Sequence, residues 1–496
     1  MFRAYGPGPS LWESLLPPEV LRMPVELARV DALLDDPALL APFVAFFDPE
    51  RGRRSIPMET FLRLMFLKFR YKLGFESLCR EVSDSVSWRL FCRIPLDVSV
   101  PDHSTLKKLA KRTGPEAVEA LNQALLVKAA DNKVLKTDRV RADGTVVAAN
   151  VGYPTDSGLL ARGVIRMVAL VAALHGLGLA GRTHMRDRSR SVRRRAHDMG
   201  AWLRRRGEAS KAEALAITAQ MADIAEAALV EARAVAVNAR RGLRRAGDQA
   251  SGKAAARLRE LEVLIGRLET IVAQTRLRVS GGTPVSASRL VSLHDPDARP
   301  IKKGRLGKPV EFGYLAQVVD NAEGIVIDHS IHVGNPAEGP LLAPAIERIK
   351  KLTGRAPKAV TADRGYGAAE VDAQLTDAGV GFVAIIRKGR QSQARQKIER
   401  QPRFRKLIKW RTGSEGRISA LKRGYGWNRS LNDGVAGTRT WCGYGVFAHN
   451  ATKISDLMAD TDRPGRPQPP PARPPALAGT GPPGRPPKSP ELPISA

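Results

Sequence analysis

Over residues 1–130 the apolar positions recur at helical spacing. Between Met58 and Lys72, Phe61, Leu62, Met65, Phe66 and Phe69 fall on one side of a helix, and Gly74 breaks the pattern before Phe75-Glu76-Ser77-Leu78 opens another. A third short helix carries Trp88, Leu90 and Phe91. Pro101-Asp102-His103-Ser104-Thr105-Leu106 then supplies cap residues for a stretch bearing Lys107, Lys108, Lys111 and Arg112. From Val134 the period changes to that of strands. Arg139 to Asn150 is rich in β-branched residues and predicts a strand with Asp143 in its middle. Phe312 to Val319 and Ile325 to Asp328 flank the turn Asp320-Asn321-Ala322-Glu323-Gly324 as a hairpin. A helix (Leu341 to Leu352), a short strand (Ala359 to Ala362), a helix (Ala368 to Ala378), a strand (Phe382 to Ile386) and a helical segment (Ile418 to Arg423), which Glu415 precedes, complete the alternation.

The strand pattern is interrupted over 155–293. Nine arginines run from Arg186 to Arg206, Arg193, Arg194 and Arg195 among them, opposed only by Asp187 and Asp198. Two long helices are predicted beyond them, one with Ile217, Met221, Ile224 and Ala228 on a face, the other with Leu258, Leu261, Ile265, Leu268 and Val272 at steps of three and four. An antiparallel helical hairpin is the simplest arrangement. Lys302-Lys303-Gly304-Arg305-Leu306-Gly307-Lys308 is expected as a basic loop before the β-hairpin. From Pro464, 13 prolines in 33 residues leave little to bury, so 460–496 is expected to be a Pro-rich disordered tail. The predicted organisation is therefore a helical, helix-turn-helix-like DNA-binding domain over 1–130, an α/β domain over 134–454 interrupted by the basic insertion 155–293, and the tail. A helical dimerisation or scaffolding role for the first domain stands beside the DNA-reading one.

Charge narrows the function. Lys and Arg number 80 against 50 Asp and Glu, a formal net charge of +30, which asks for a polyanionic partner. No apolar run reaches the roughly 18 residues of a spanning helix. Val164 to Leu179 comes nearest but is broken by Arg166 and glycine, and Met1 to Leu16 lacks the charged-then-apolar pattern of a leader. Nucleic acid rather than a membrane is the expected partner. Cys79, Cys92 and Cys442 have no metal or disulfide spacing and suit buried thiols in a reducing cytoplasm.

In so basic a chain three acids stand out: Asp143 in Arg-Ala-Asp-Gly-Thr-Val-Val, Asp363 in Ala-Asp-Arg-Gly-Tyr-Gly, and Glu415 in Gly-Ser-Glu-Gly-Arg-Ile-Ser. About three carboxylates suffice to anchor two magnesium ions at a phosphodiester, where the ions activate the attacking oxygen and stabilise the leaving one. A salt bridge or turn cap is the structural alternative for each acid. Glu370, Asp372, Asp377 and Glu399 fall on what look like solvated helical faces, and His103 looks like a capping residue.

The order strand, hairpin, helix, strand, helix, strand, helix, with these acids at the first strand, the fourth strand and the last helix, resembles the DDE transposases of bacterial insertion sequences. The resemblance runs from Ile56 to Ile454. Its most specific pieces are Asp143-Gly-Thr-Val, Tyr153-Pro154-Thr155-Asp156-Ser157, Ala362-Asp363-Arg364-Gly365-Tyr366 and a last block in which Arg411, Glu415 and Lys422 match an arginine, glutamate and lysine signature, while Ile408 stands where the family has tyrosine.

The resemblance implies a ribonuclease H-like mixed sheet flanked by helices, with a helical insertion after the first strand. It implies that Asp143 bridges two Mg2+ ions, Mn2+ being a substitute, that Asp363 and Glu415 each hold one, and that the enzyme cleaves insertion-sequence ends and transfers the 3′-hydroxyl strands to target DNA. Double-stranded DNA is then the partner, both terminal inverted repeats and target, bound by a homo-oligomer in the bacterial cytoplasm at the nucleoid. Arg364, Arg411, Lys422, Arg193, Arg194, Arg195, Lys302 and Lys303 become the candidate DNA-binding residues. Two other functions fit the same motifs: a metal-dependent nuclease without strand transfer, and a catalytically silent regulator derived from a transposon.

Overall fold

The computed structural model of the chain describes residues 1–461 other than 9, 206, 247–251 and 306–307, and for 203, 303–305 and 308 it describes no side chain. The expected Pro-rich tail thus lies outside the described residues, except that Asp460 and Thr461 end a helix.

The first 131 residues are helical: α1 (Leu11–Ser14), α2 (Val25–Leu34), α3 (Ala41–Val44), α4 (Met58–Arg70), α5 (Phe75–Asp84), α6 (Val86–Phe91) and α7 (His103–Asp131). The side chain of Asp102 caps α7 by accepting from the Ser104 amide, and Gly114-Pro115 kinks it. Strand β1 (Arg139–Ala148) follows, then a helical insertion: α8 (Asp156–Gly176), α9 (Ser189–Arg204), α10 (Glu208–Ala246) and α11 (Gly252–Val279). The chain returns to the sheet with β2 (Arg299–Arg305), β3 (Lys308–Asn321) and β4 (Val326–Val333). It continues through α12 (Gly339–Thr353), β5 (Ala359–Ala362), a 3-10 turn (Arg364–Tyr366), α13 (Ala369–Asp377), β6 (Val383–Ala384), α14 (Gln393–Arg400), α15 (Pro402–Arg411), α16 (Ser414–Gly424) and α17 (Gly434–Thr461).

Six strands form one mixed sheet. β3 pairs antiparallel with β1 on one side and with both β2 and β4 on the other, and β5 and β6 continue from β1 in parallel. On β1, Val140 and Ala142 face the core built with Leu342, Ile346 and Leu375 of α12 and α13. Arg141, Asp143 and Thr145 necessarily face the other way, toward α15 and α16.

Three expectations are corrected. The insertion is a four-helix bundle rather than a two-helix hairpin: Leu160, Val164, Met167 and Leu174 of α8 and Val192 of α9 join Met221, Ala225, Leu261 and Leu268 in a core of its own. α8 is also long and apolar enough to cross a membrane by composition, contrary to the sequence estimate, but its apolar face is spent on that core. The described residues of the expected 302–308 loop are strand. Residues 302–305 close β2 and Lys308 opens β3, with 306–307 between them undescribed.

The N-terminal helices share their core with the far end of the chain. Phe61, Leu62, Val118 and Leu121 pack with Tyr444, Phe447, Ala448 and Ala451 of α17, and Asn122 Nδ2 donates to the Gly443 carbonyl at 3.0 Å. Cys92 and Cys442 are buried there as free thiols, and Cys79 is half-buried.

Candidate active site

Asp143 and Asp363 arrive at one place because their strands are neighbours. β1 and β5 run parallel with Ala142 opposite Ala362, so the next residue on β1 is Asp143 and the first residue past the end of β5 is Asp363. The Asp143 carboxylate accepts from its neighbour Gly144 N at 2.8 Å and from Ser414 Oγ at 2.7 Å. Burial, then the charge of Asp363, push the Asp143 carboxyl above its ordinary value, against the pull of the Ser414 and Gly144 hydrogen bonds and the Arg411 charge. Two anions so placed attract a cation.

Asp363 caps the 3-10 turn, its Oδ1 accepting from Gly365 N at 2.6 Å. Neither glycine after it has a left-handed backbone. Gly367 is needed because any Cβ there would collide with the Ile386 carbonyl, and Gly365 because the space beside it is filled by carboxylate oxygens.

The third motif is delivered by α16, which begins at Ser414 and so contains Glu415 in its first turn rather than following it. Helix and sheet are tied by a buried ionic cluster. Arg141, two residues before Asp143, binds both oxygens of Asp320 at 2.8 Å and donates to the Trp410 carbonyl at 2.9 Å. Arg417, two residues after Glu415, reaches the same Asp320 at 3.2 Å. Glu415 itself is exposed, one residue from the serine bonded to Asp143. Among the described residues no three acidic, histidine or cysteine side chains converge closely enough to enclose one ion.

Of the candidate DNA-binding residues, Arg364 is exposed beside Asp363, and Arg411 and Lys422 are half-buried in α15 and α16. Arg193 and Arg194 are exposed on α9, remote in sequence from the acids, and Arg195 is held by Gln220 and Ser191. Lys302 is exposed on β2 and the Lys303 side chain is outside the described residues. Ile408, at the tyrosine position, packs with Phe404 and Leu407 under β5 and β6. His103 abuts Asp102 at the start of α7. Asp372 and Glu399 are not on solvated faces: Arg387 and Arg395 hold Asp372 at 2.9 Å, and Arg395 also pairs with Glu399.

One acid went unnoticed in the sequence. Glu338, just before α12, puts its carboxylate where a side chain at Gly144 would stand, 2.7 Å from that Cβ position to its Cδ, and also against Gly365. No sequence motif marks it.

Two family profiles match the chain, one described as a transposase domain over residues 14–112, the other as a transposase DDE domain over residues 286–450. The chain belongs to the DDE transposases of insertion sequences. Asp363 and Glu415 lie inside the second match, whereas Asp143 and the four-helix insertion lie between the two, so Asp143 joins the site through its place beside Asp363 on the sheet. No solved structure matches the chain. DNA is the substrate of transposases, and the DDE kind generally uses divalent metal ions. The transposase's own residues fit such an ion: the donors are hard carboxylate oxygens, and Asp143 and Asp363 repel one another in a partly desolvated site that a cation would neutralise.

Proposed function

We propose that this transposase cuts DNA at the ends of its insertion sequence and joins the freed 3′-hydroxyl strands to target DNA, on a ribonuclease H-like sheet. The strand order supports that fold: a central β1 with an antiparallel β3–β4 hairpin on one side and parallel β5 and β6 on the other. The observation that carries the reaction is the meeting of three distant motifs: Asp143 on β1, Asp363 just past the end of neighbouring β5, and α16 tied to Asp143 through Ser414, the residue before Glu415.

Asp143, Asp363 and Glu415 would hold the divalent ions. When bound, two such ions supply Lewis acidity to both the attacking and the leaving oxygen of a phosphodiester. The rest is positioning by the chain. Ser414 and the Gly144 amide fix the Asp143 carboxylate by two donors, so its oxygens are oriented before substrate arrives. Arg411, whose charge reaches Asp143, and exposed Arg364 offer guanidinium groups to phosphates beside the acids. Exposed Lys107, Lys108, Lys111 and Arg112 give α7 a basic face, which supports a DNA-holding role for the N-terminal helices, and the arginines of α9 extend the basic surface to the insertion.

The test is a cleavage and joining assay with labelled DNA carrying the terminal repeats, in Mg2+ and in EDTA, comparing wild type with Asp143→Ala, Asp363→Ala and Glu415→Ala. Metal-dependent nicking at the ends and joined products, lost in all three variants while DNA binding persists, is expected. Binding without cleavage by the wild type would instead mark a silent regulator, cleavage without joining a nuclease, and cleavage that survives Glu415→Ala would remove Glu415 from the site.

A further inference from the structure

Two glycines flank the paired aspartates, Gly144 after Asp143 and Gly365 two residues after Asp363, and both leave room for the same side chain. A Cβ on Gly144 would run into the Glu338 carboxylate. A Cβ on Gly365 would lie 2.6 Å from Asp363 Oδ1 and 3.1 Å from Glu338 Oε2, so these two carboxylate oxygens border a single point. Neither glycine has positive φ, and conformational freedom does not explain them. The space for Glu338 does.

A second, independent feature stands at the same spot. Gln317 is opposite Gly144 in the β1–β3 register, so its side chain rises beside the gap that Glu338 fills. It is 1% exposed, its Nε2 donates to the Tyr366 hydroxyl at 3.2 Å, and its Oε1 has no hydrogen-bond partner. A buried acceptor oxygen left without a donor has lost its water and gained nothing in return. The Glu338 and Asp363 carboxylates near it also only accept, so a cation, or a water ordered by one, would satisfy it. Tyr366, to which Gln317 donates, is wholly buried near Glu338, Asp143 and Asp363.

We propose that Glu338 is a fourth metal-binding acid of the site, holding the ion of Asp363 from the N-terminus of α12, with Gly144 and Gly365 as the cradle that admits its carboxylate. This rests on the assignment of Asp143 and Asp363 as metal-binding acids. It extends the three-acid pattern by a residue supplied from the loop after β4, and it accounts for the glycines at both aspartate motifs by one cause.

The test is Mn2+ titration of the full-length protein by calorimetry, without DNA, on wild type, Glu338→Gln, Gly144→Ala and Asp363→Asn, with melting in EDTA as a check on folding. Glu338→Gln and Gly144→Ala are expected to weaken Mn2+ binding at least about tenfold, the range seen when a group supporting a metal is lost, while Asp363→Asn abolishes it. If Glu338→Gln binds Mn2+ within twofold of wild type while Asp363→Asn does not bind, Glu338 is no ligand and the aspartate site stands. If Asp363→Asn also binds like wild type, the metal site is misplaced and Glu338 falls with it. Should Glu338→Gln melt early in EDTA, the Gly144→Ala titration decides between the same outcomes.

Discussion

Ser414 Oγ donates to Asp143 Oδ2 at 2.7 Å and so fastens the first turn of α16 to the middle of β1, across 271 residues of chain. That bond stabilises an anion which burial and Asp363 disfavour. Because the folded protein holds the Asp143 proton more tightly than the unfolded chain does, the stabilisation from this group is complete below the unfolded pKa of about 4 and is lost as pH rises through the higher folded value. Asp143→Asn keeps the shape and drops the charge. In EDTA at pH 7.5 it should raise the melting temperature by about 2 °C, with the gap closing as the pH is lowered toward 4, and added Mg2+ should stabilise only the wild type. A variant that melts below wild type at pH 7.5 would contradict the electrostatic account of the site.

The Arg141–Asp320–Arg417 cluster carries the docking of the Glu415 helix. Asp320 is 2% exposed and serves both guanidinium groups, and His449, which burial pushes down to about 4, is neutral beside Arg417 and adds no further charge. Asp320→Ala leaves two cations facing each other in a buried place and should cost about 3–5 kcal/mol in urea denaturation. Hydrogen exchange in 414–424 should quicken more than in α12, which the cluster does not touch. Uniform exchange changes across both helices would mean that the cluster holds the whole fold and not this helix.

The shared core of the N-terminal helices and α17 makes a further prediction. A fragment of residues 1–132 lacks Tyr444, Phe447, Ala448 and Ala451, which fill the space between α4 and α7. It should show helical far-ultraviolet dichroism without a cooperative thermal transition. A sharp, two-state melt of that fragment would establish it as an autonomous domain despite the shared core.

Much of the site was legible because it is local. An aspartate ending or centring a β-branched run, with glycine within two residues after it, states its own geometry, and β1, the hairpin, α12, β5 and α13 fall where the pattern places them. What escaped was tertiary. Glu338 meets Asp363 only through the emptiness of two glycines, a relation with no sequence period. α17 was missed because Trp441 to Ala451 is buried all round, which erases the amphipathic stripe on which helix recognition depends. The first two helices of the insertion were hidden differently: α8 is so apolar that it suggested a near-membrane run, and α9 so basic that its buried Val192 carried no weight. The lysines of 302–308 concealed a strand because, among its described side chains, Ile301 is the buried apolar residue that marks it.

The basic insertion can be tested through salt. Arg193 and Arg194 are exposed on α9, while Arg195 already donates to Gln220 and Ser191. Each arginine that contacts a phosphate releases close to one counterion, so removing it lowers the slope of log K against log [salt] by about 1. Arg193→Ala with Arg194→Ala should therefore lower that slope by about 2 on terminal-repeat DNA, and lower it equally on unrelated duplexes, because phosphate contacts carry no sequence information. Arg195→Ala should change the slope by much less, since freeing its partners disturbs the α9–α10 packing instead. Filter binding or fluorescence anisotropy over a range of salt concentrations measures both. An unchanged slope in the double variant would leave these arginines as a solvated face of the bundle, and a loss confined to the terminal repeats would make them sequence readers and not a clamp.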